Sequence, residues 1–197
     1  MQDSEAISRL KQGDLSGLES LVKKYQVKAL RTAYLIVQDY DLAEDVVQDA
    51  FLRAYERINQ YDAKRPFGPW FFRIVINIAK RIATQRERHI HLDAVSANAE
   101  TAIDELLADL KSDPEVIVEQ HDIHRTVWVA LGRLSPMQRA VIIQRYYLDM
   151  SEKDIAAHSG VPLGTLKWRL HTAREQLRAW LSHLWLIGAC NQHKEGD

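Results

Sequence analysis

The chain has 197 residues, which is enough for one domain or two small ones. Its 46% hydrophobic and 27% charged residues exclude wholesale disorder, and the net charge of −1 does not by itself indicate a nucleic-acid partner. The single cysteine, Cys190, excludes an internal disulfide, Met1 to Leu10 lack the apolar core of a signal peptide, and no apolar run approaches the roughly 18 residues of a membrane span. We therefore predict a cytoplasmic protein without direct membrane insertion.

The spacing of apolar residues predicts an all-α fold. Asp14 is placed to cap a first helix whose apolar residues recur at intervals of three and four. Asp41 and Glu44 have the spacing of a capping box, which predicts a helix over 43–58. A further helix is predicted over 70–88, where the apolar stripe continues.

The charge pattern divides the chain into two helical bundles joined by an acidic linker. We predict bundles over 5–88 and 113–186, a linker over 89–112 and a tail over 187–197. Nine acids and one lysine between 93 and 122 give that stretch a net charge of −8, so the near-neutral total hides a strong charge asymmetry.

Three more helix starts are predicted in the second bundle. Asp113 precedes Pro114 at the first helical position, Ser135 is followed three residues later by the capping-box residue Gln138, and Ser151 opens a third helix. Gly160 then breaks that helix, and a fourth is predicted over 162–186.

Residues 151–177 have the spacing of a helix-turn-helix. This motif needs a small residue where the helices cross, here Ala156, and a residue that turns the chain, here Gly160. The apolar residues that would lock the angle are Ile155, Val161, Leu166 and Leu170. The second helix would then enter the major groove, with its N-terminal part on base edges and its flanking cations on phosphates. The alternative is an ordinary pair of antiparallel helices inside a bundle.

A basic and aromatic segment follows the first acidic helix. Seven Lys or Arg residues and one acid between 64 and 91 give it a net charge of +6, and aromatic residues precede Asn77. Rings stack on bases, cations hold phosphates and an amide reads a flipped base, so we predict capture of single-stranded nucleic acid. In the alternative interpretation the aromatic residues are core and the cations a solvated surface.

The stretch from 39 to 49 carries five acids and no basic residue, so it does not bind DNA. It is either a solvated helix face or a docking site for a basic protein partner. We predict no metal site, because the pairs His89/His91 and His121/His124 have no cysteine at zinc-ligand spacing. The sequence also lacks a phosphate loop or catalytic motif, so we expect no enzyme activity, no cofactor and no small-molecule substrate.

Together these segments resemble the extracytoplasmic-function sigma factors of bacterial RNA polymerase. Residues 41–51 look like the family's region 2.2, 67–77 like regions 2.3 and 2.4, 134–139 like the start of region 4, and 150–177 like region 4.2. The resemblance implies that region 2.2 docks on the clamp helices of the largest core polymerase subunit. It also implies that regions 2.3 and 2.4 melt the −10 element, that region 4.2 reads the −35 element, and that an anti-sigma factor is a further partner.

The resemblance assigns residues to each task. The docking residues would be Asp41, Glu44, Asp45, Gln48 and Asp49. The residues for the −10 DNA would be Phe67, Trp70, Arg73, Asn77, Lys80, Arg81, Arg86 and Arg88. The residues for the −35 DNA would be Gly164, Thr165, Lys167, Trp168, Arg169, His171, Thr172 and Arg174.

The chain departs from the family pattern on the recognition helix. Trp168 stands where a small serine is common and Thr172 where an arginine is common, so the −35 preference is open. In this family the linker threads toward the active-centre cleft and the RNA exit path. The net charge of −8 therefore suggests that the linker mimics nucleic acid and is displaced by nascent RNA. The rival interpretation of the whole chain is a free-standing helix-turn-helix regulator.

Overall fold

The computed structural model describes residues 3–90 and 125–191, with side chains for 3–88 and 125–182. The chain divides into two compact units, one on each side of position 98. Every regular element within these described ranges is helical, which confirms the prediction of an all-α protein. Nearly all of the predicted linker and the helix start at Asp113 lie outside the described residues. Over 3–90 and 125–191 no helix combines the length and apolar character needed to cross a bilayer.

The first unit consists of four α-helices and one 3₁₀ turn. They are α1 (Asp3–Lys11), α2 (Ser16–Val37), α3 (Tyr40–Glu56), the 3₁₀ turn Ile58–Gln60 and α4 (Phe67–Ile90).

The start of α3 differs from the predicted capping box. Asp39, rather than Asp41, is the cap, and its Oδ1 accepts a hydrogen bond from the Leu42 amide at 3.1 Å. The second oxygen of Asp39 lies 2.8 Å from Arg86 Nη1 on α4. The prediction from Asp41 and Glu44 was therefore wrong about the cap, because a contact from a distant helix holds the earlier aspartate in place.

The core of the first unit is an aromatic cluster between α2, α3 and α4. Phe67 and Phe71 are stacked at 5.8 Å between ring centroids, and Phe51 lies 4.5 Å from Phe71. Tyr25 packs against Phe67 from α2 at 5.4 Å. Burying such a side chain stabilises the fold by about 1.5–3 kcal/mol. The cluster fixes the N-terminal turn of α4 against the other helices.

Gly17 lets α1 lie directly against α2. A Cβ atom at this position would be 2.2 Å from the Ala6 carbonyl oxygen, so only glycine allows the two backbones to come this close. At the start of α1, the Asp3 carboxylate accepts hydrogen bonds from the Tyr25 hydroxyl and the Lys24 ammonium, each at 2.6 Å. Burial, with the neighbouring Asp3 carboxylate, raises the pKa of Tyr25 well above its ordinary value.

The second unit is also helical over its described part. Its elements are α5 (125–132), α6 (Pro136–Ile142), a π-helical turn (Ile143–Tyr147), α7 (Glu152–Ser159) and α8 (Leu163–Asn191).

Two of the predicted helix starts in this unit are confirmed. Ser135 and Gln138 form a capping box at α6, with the Gln138 side chain 3.1 Å from the Ser135 amide. Ser151 caps α7 by accepting a hydrogen bond from the Asp154 amide at 3.1 Å. Arg139 is 5% exposed and donates to the carbonyls of Leu131 and Leu134, each at 2.9 Å.

The predicted helix-turn-helix is present as α7 and α8. Gly160 ends α7 with φ of 66°, a left-handed conformation that glycine adopts without strain. Ile155, Leu166 and Leu170 are fully buried between the two helices and their support, while Val161 is half-buried. The apolar lock therefore leaves the opposite face of α8 open.

Candidate nucleic-acid interface

A basic concavity of about 390 Å³ lies where the C-terminal end of α3 meets α4. Its lining residues are Arg53, Arg57, Gln60, Trp70, Arg73, Ile74, Asn77, Ile78 and Arg81. The six from α4 recur at intervals of three and four, so they form a single helix face. Four of the residues predicted for the −10 DNA are thus brought together: Trp70, Arg73, Asn77 and Arg81.

The side chains of this concavity suit an unpaired nucleotide. Trp70 is half-buried and held by Tyr61 and Phe67, whose ring centroids lie 5.2 Å and 5.5 Å away. Arg73 and Asn77 are exposed one and two turns further along α4. An aromatic surface, an amide and several guanidinium groups together offer stacking, base-edge recognition and phosphate binding.

Three of the polar residues that line the concavity were not predicted from the sequence. Arg53, Arg57 and Gln60 come from the end of α3 and the following 3₁₀ turn, outside the predicted basic block. Arg53 Nε donates to Asp49 Oδ1 at 2.9 Å. The only available signal was a pair of arginines four residues apart at the end of an otherwise acidic helix.

Phe67 differs from the other residues predicted for the −10 DNA because its side chain is buried in the core. It is 2% exposed in the aromatic cluster, so its ring is not accessible to a base in this conformation. The ring lies in the first turn of α4 beneath Tyr25 and Tyr61, and its place in the −10 interface stays a prediction.

The remaining cations of α4 lie outside the concavity. Arg86 pairs with Asp39 and joins α4 to the start of α3. Arg88 is exposed and Lys80 is half-buried, and neither lines the concavity. The eight residues predicted for the −10 DNA therefore separate into a buried aromatic, a group of four around the concavity and three cations elsewhere.

The predicted docking residues form an open acidic face on α3. Asp41, Glu44, Asp45 and Gln48 are exposed. Asp49 is half-buried, and besides its bond with Arg53 it lies 3.9 Å from Arg81 Nη2. Asp49 thus connects the acidic face with the concavity.

Two exposed apolar side chains continue the acidic face. Leu52 is 61% exposed and Tyr55 is 41% exposed, one and two turns beyond Gln48. Buried anchors surrounded by polar residues are typical of protein interfaces. Neither residue was predicted from the sequence as part of a docking surface.

The outward face of α8 carries most of the residues predicted for the −35 DNA. Gly164, Thr165, Lys167, Trp168 and His171 are exposed, and Trp168 is 66% exposed. The half-buried members of the set are Arg169, Thr172 and Arg174. Arg174 differs from the others because its guanidinium bonds to the Tyr146 hydroxyl at 2.7 Å.

Within 3–88 and 125–182, no group of three or more His, Cys, Asp or Glu side chains is placed to hold a metal ion. The two histidine pairs considered from sequence lie outside the described side chains.

Family models match both units of the chain. The model for sigma-70 region 2 matches residues 21–89, and the model for sigma-70 region 4 matches residues 124–177. The first match contains α3 with its acidic face and α4 with the concavity. The second contains the helix-turn-helix.

Curated relatives match nearly the whole chain. It is 31% identical over 186 residues to the ECF RNA polymerase sigma factor SigW of Bacillus subtilis, covering 93% of this chain and 99% of that protein. It is 32% identical over 178 residues to the RNA polymerase sigma-H factor of Pseudomonas aeruginosa, covering 89% and 92%.

Two solved structures share the fold. One is the sigma factor RpoE in complex with the anti-sigma factor NepR from Bartonella quintana, with 25% identity, a TM-score of 0.62 and coverage of 83% of this chain and 96% of that one. The other is CnrH in complex with the cytosolic domain of CnrY, with 24% identity, a TM-score of 0.61 and coverage of 92% and 97%. The chain therefore belongs to the extracytoplasmic-function family of RNA polymerase sigma factors, which are not enzymes, and it directs transcription initiation.

Proposed function

We propose that this sigma factor divides promoter recognition between its two units. The α4 concavity binds a base of the opened −10 strand, the outward face of α8 reads the −35 element as duplex, and the acidic face of α3 docks on the clamp helices of the largest polymerase subunit. The observation that carries the proposal is the concavity, where Trp70, Asn77 and four arginines line one space.

The volume and chemistry of the concavity support capture of an opened strand. About 390 Å³ lies at the lower end of the roughly 300–1,000 Å³ of small-ligand sites, a size suited to one nucleotide rather than to a duplex. Trp70 would stack on the base and Asn77 would bind its edge. Arg57, Arg73 and Arg81 would hold the adjacent phosphates, and Arg53, which is bonded to Asp49, would line the space beside them. Lys80 and Arg88 remain proposed as phosphate contacts further along the strand.

The exposure pattern of α8 supports −35 recognition. Its N-terminal turns present Gly164, Thr165, Lys167, Trp168 and His171 to solvent, the part of such a helix that contacts base edges. Arg169 and Thr172 flank this face and would touch the DNA backbone. Trp168 can make apolar contacts with thymine methyl groups, so we propose that it shifts the −35 preference toward thymine.

Charge complementarity supports the docking proposal. Asp41, Glu44, Asp45 and Gln48 face solvent on one side of α3, and an acidic surface of this kind fits a basic protein partner. Asp49 lies at the edge of this surface, where it also contacts the arginines of the concavity. We include it among the proposed docking residues.

We further propose that an anti-sigma factor controls this protein, because the similar sigma factor RpoE was solved in complex with the anti-sigma factor NepR. A chain acting with core polymerase would work in the bacterial cytoplasm. We also propose that the two domains span 5–88 and 113–186 and that a tail follows over 187–197.

The acidic linker over 89–112 is proposed to lie near the active-centre cleft until nascent RNA displaces it. Its support is the net charge of −8 between 93 and 122. Neutralising Asp104, Glu105 and Asp109 should change abortive initiation and promoter escape, and an unchanged ratio of abortive to full-length RNA would contradict the proposal.

Run-off transcription with purified core polymerase separates this function from that of a free-standing regulator. The sigma factor should produce promoter-dependent transcripts and bind duplex DNA weakly on its own. If the purified chain bound duplex DNA tightly alone and supported no transcript, the free-standing regulator would be the better interpretation.

A further inference from the structure

Arg174 lies on the recognition helix, but its guanidinium group contacts the protein scaffold. Its Nε donates to the Tyr146 hydroxyl at 2.7 Å, and its Cζ lies 5.7 Å from the centroid of the same ring. Its Nη2 lies 4.0 Å from a carboxylate oxygen of Glu152. The side chain is 39% exposed, so these contacts are partly shielded from water.

The two partners of Arg174 lie on the elements that precede α8. Tyr146 belongs to the π-helical turn Ile143–Tyr147, in which the Leu148 amide donates to the Ile143 carbonyl at 3.0 Å. Single π-helical turns are rare and often mark functional sites. Glu152 lies in the first turn of α7. Arg174 therefore joins α8 to both supporting segments of the helix-turn-helix module.

Arg169 provides the contrast on the same helix. It is half-buried and flanks the outward face, yet within the described part of the chain no hydrogen bond or ion pair occupies its guanidinium. Part of the hydrogen-bonding capacity of the Arg174 guanidinium is therefore already engaged by the protein, and these contacts compete with a phosphate. Arg169 has no such competition.

We propose that Arg174 is a positioning residue that sets the angle of the recognition helix through Tyr146 and Glu152, and that it is not a phosphate contact. The proposal rests on the proposed role of α8 as the reader of the −35 element, and it revises the sequence-based expectation for this one arginine. An angle error of α8 would weaken base-edge contacts more than backbone contacts, because base-edge hydrogen bonds depend most strongly on geometry.

The test compares holoenzymes made with full-length variants, on a promoter fragment with an intact −35 element and on one with a scrambled element. Arg174→Lys keeps the charge but loses the planar fork that bonds two partners. We expect Arg174→Lys and Arg174→Ala to lower the preference for the intact element by about threefold to tenfold, with no change in the salt dependence of binding. Circular dichroism at the assay temperature verifies that each variant is folded.

Tyr146→Phe removes only the hydroxyl and supplies an independent variant. We expect a smaller loss of preference, and no further loss when it is combined with Arg174→Ala, because both changes break the same contact. The matched control is Arg169→Ala, which should weaken binding to both fragments alike and lower the salt slope by about one counterion.

The proposal is overturned if Arg174→Lys behaves like the unmodified protein while Arg174→Ala lowers the salt slope, since that pattern identifies a phosphate contact. Additive effects of Tyr146→Phe and Arg174→Ala would also overturn it. The proposed role of α8 as the reader of the −35 element has a separate test. If α8 did not read this element, Trp168→Ala would leave the preference for the intact element unchanged.

Discussion

Replacing Arg139 should destabilise the second unit more than any surface substitution in it. The guanidinium is buried and donates to the carbonyls of Leu131 and Leu134 at 2.9 Å and of Gly132 at 3.4 Å. These carbonyls lie at the end of α5 and in the turn that follows it, where no further helical turn can satisfy them. Each hydrogen bond to a charged group contributes about 1.5–3 kcal/mol, and a buried carbonyl left unpaired costs about 1–3 kcal/mol.

We therefore expect Arg139→Ala to lower the free energy of unfolding of this unit by about 3–5 kcal/mol, out of a typical domain total of about 5–15 kcal/mol. Four of the five tryptophans lie at or beyond position 128, so in a Trp70→Phe background fluorescence during urea unfolding reports on the second unit alone. The control is Arg133→Ala, an exposed arginine 4.2 Å over the Trp180 ring, which should cost about 1 kcal/mol or less. If Arg139→Ala lowered the free energy of unfolding no more than the control Arg133→Ala, this account of the role of Arg139 would be refuted.

Three further substitutions test separate parts of the structure. Gly17→Ala should lower the free energy of unfolding of the first unit by about 1–3 kcal/mol, because the new methyl group would lie 2.2 Å from the Ala6 carbonyl oxygen. An unchanged midpoint of urea unfolding would contradict this close contact between α1 and α2. Holoenzyme binding should be sensitive to replacement of −35 thymines by deoxyuridine, and Trp168→Ala should remove this sensitivity. If the variant still distinguished thymine from deoxyuridine, a residue other than Trp168 would contact the methyl group. Asp45→Arg should weaken binding to core polymerase at least tenfold without changing the melting temperature, and unchanged core affinity would count against docking through α3.

Local signals in the sequence predicted the second unit well. The cap at Ser135, the cap at Ser151 and the left-handed turn at Gly160 are all confirmed. Each involves residues within three or four positions of one another, so the physical cause lies inside the sequence window that shows the pattern. The outward face of α8 followed from the same local periodicity.

Contacts between distant segments could not be predicted from local patterns. Arg86 and Arg174 were assigned to DNA from the sequence, but they contact Asp39 and Tyr146, which are 47 and 28 residues away. Phe67 looked accessible because its cover, Tyr25, comes from α2. None of these three pairings is visible in a helical pattern. Such a pattern shows which side of a helix is apolar, but it does not show which residues pack against that side.

The concavity shows the same limit. Four of the six lining residues from α4 were predicted from a local run of aromatic, amide and basic side chains. Arg53, Arg57 and Gln60 were not, since only the packing of α3 against α4 brings them to the same space. Local patterns in the sequence therefore identified four of the nine residues that line this concavity.

The most direct test of strand capture by the concavity is permanganate reactivity of the −10 region in holoenzyme–promoter complexes carrying Asn77→Ala. The matched control is Gln85→Ala, which removes an exposed amide from the same helix outside the concavity. We predict that Asn77→Ala lowers the melted fraction by about tenfold while binding to closed duplex stays within about twofold of the unmodified protein, because a base contact contributes about 1–3 kcal/mol only after the strand has opened. Equal losses in melting and in closed binding, or a melted fraction like that of Gln85→Ala, would contradict the assignment of this concavity to the opened strand.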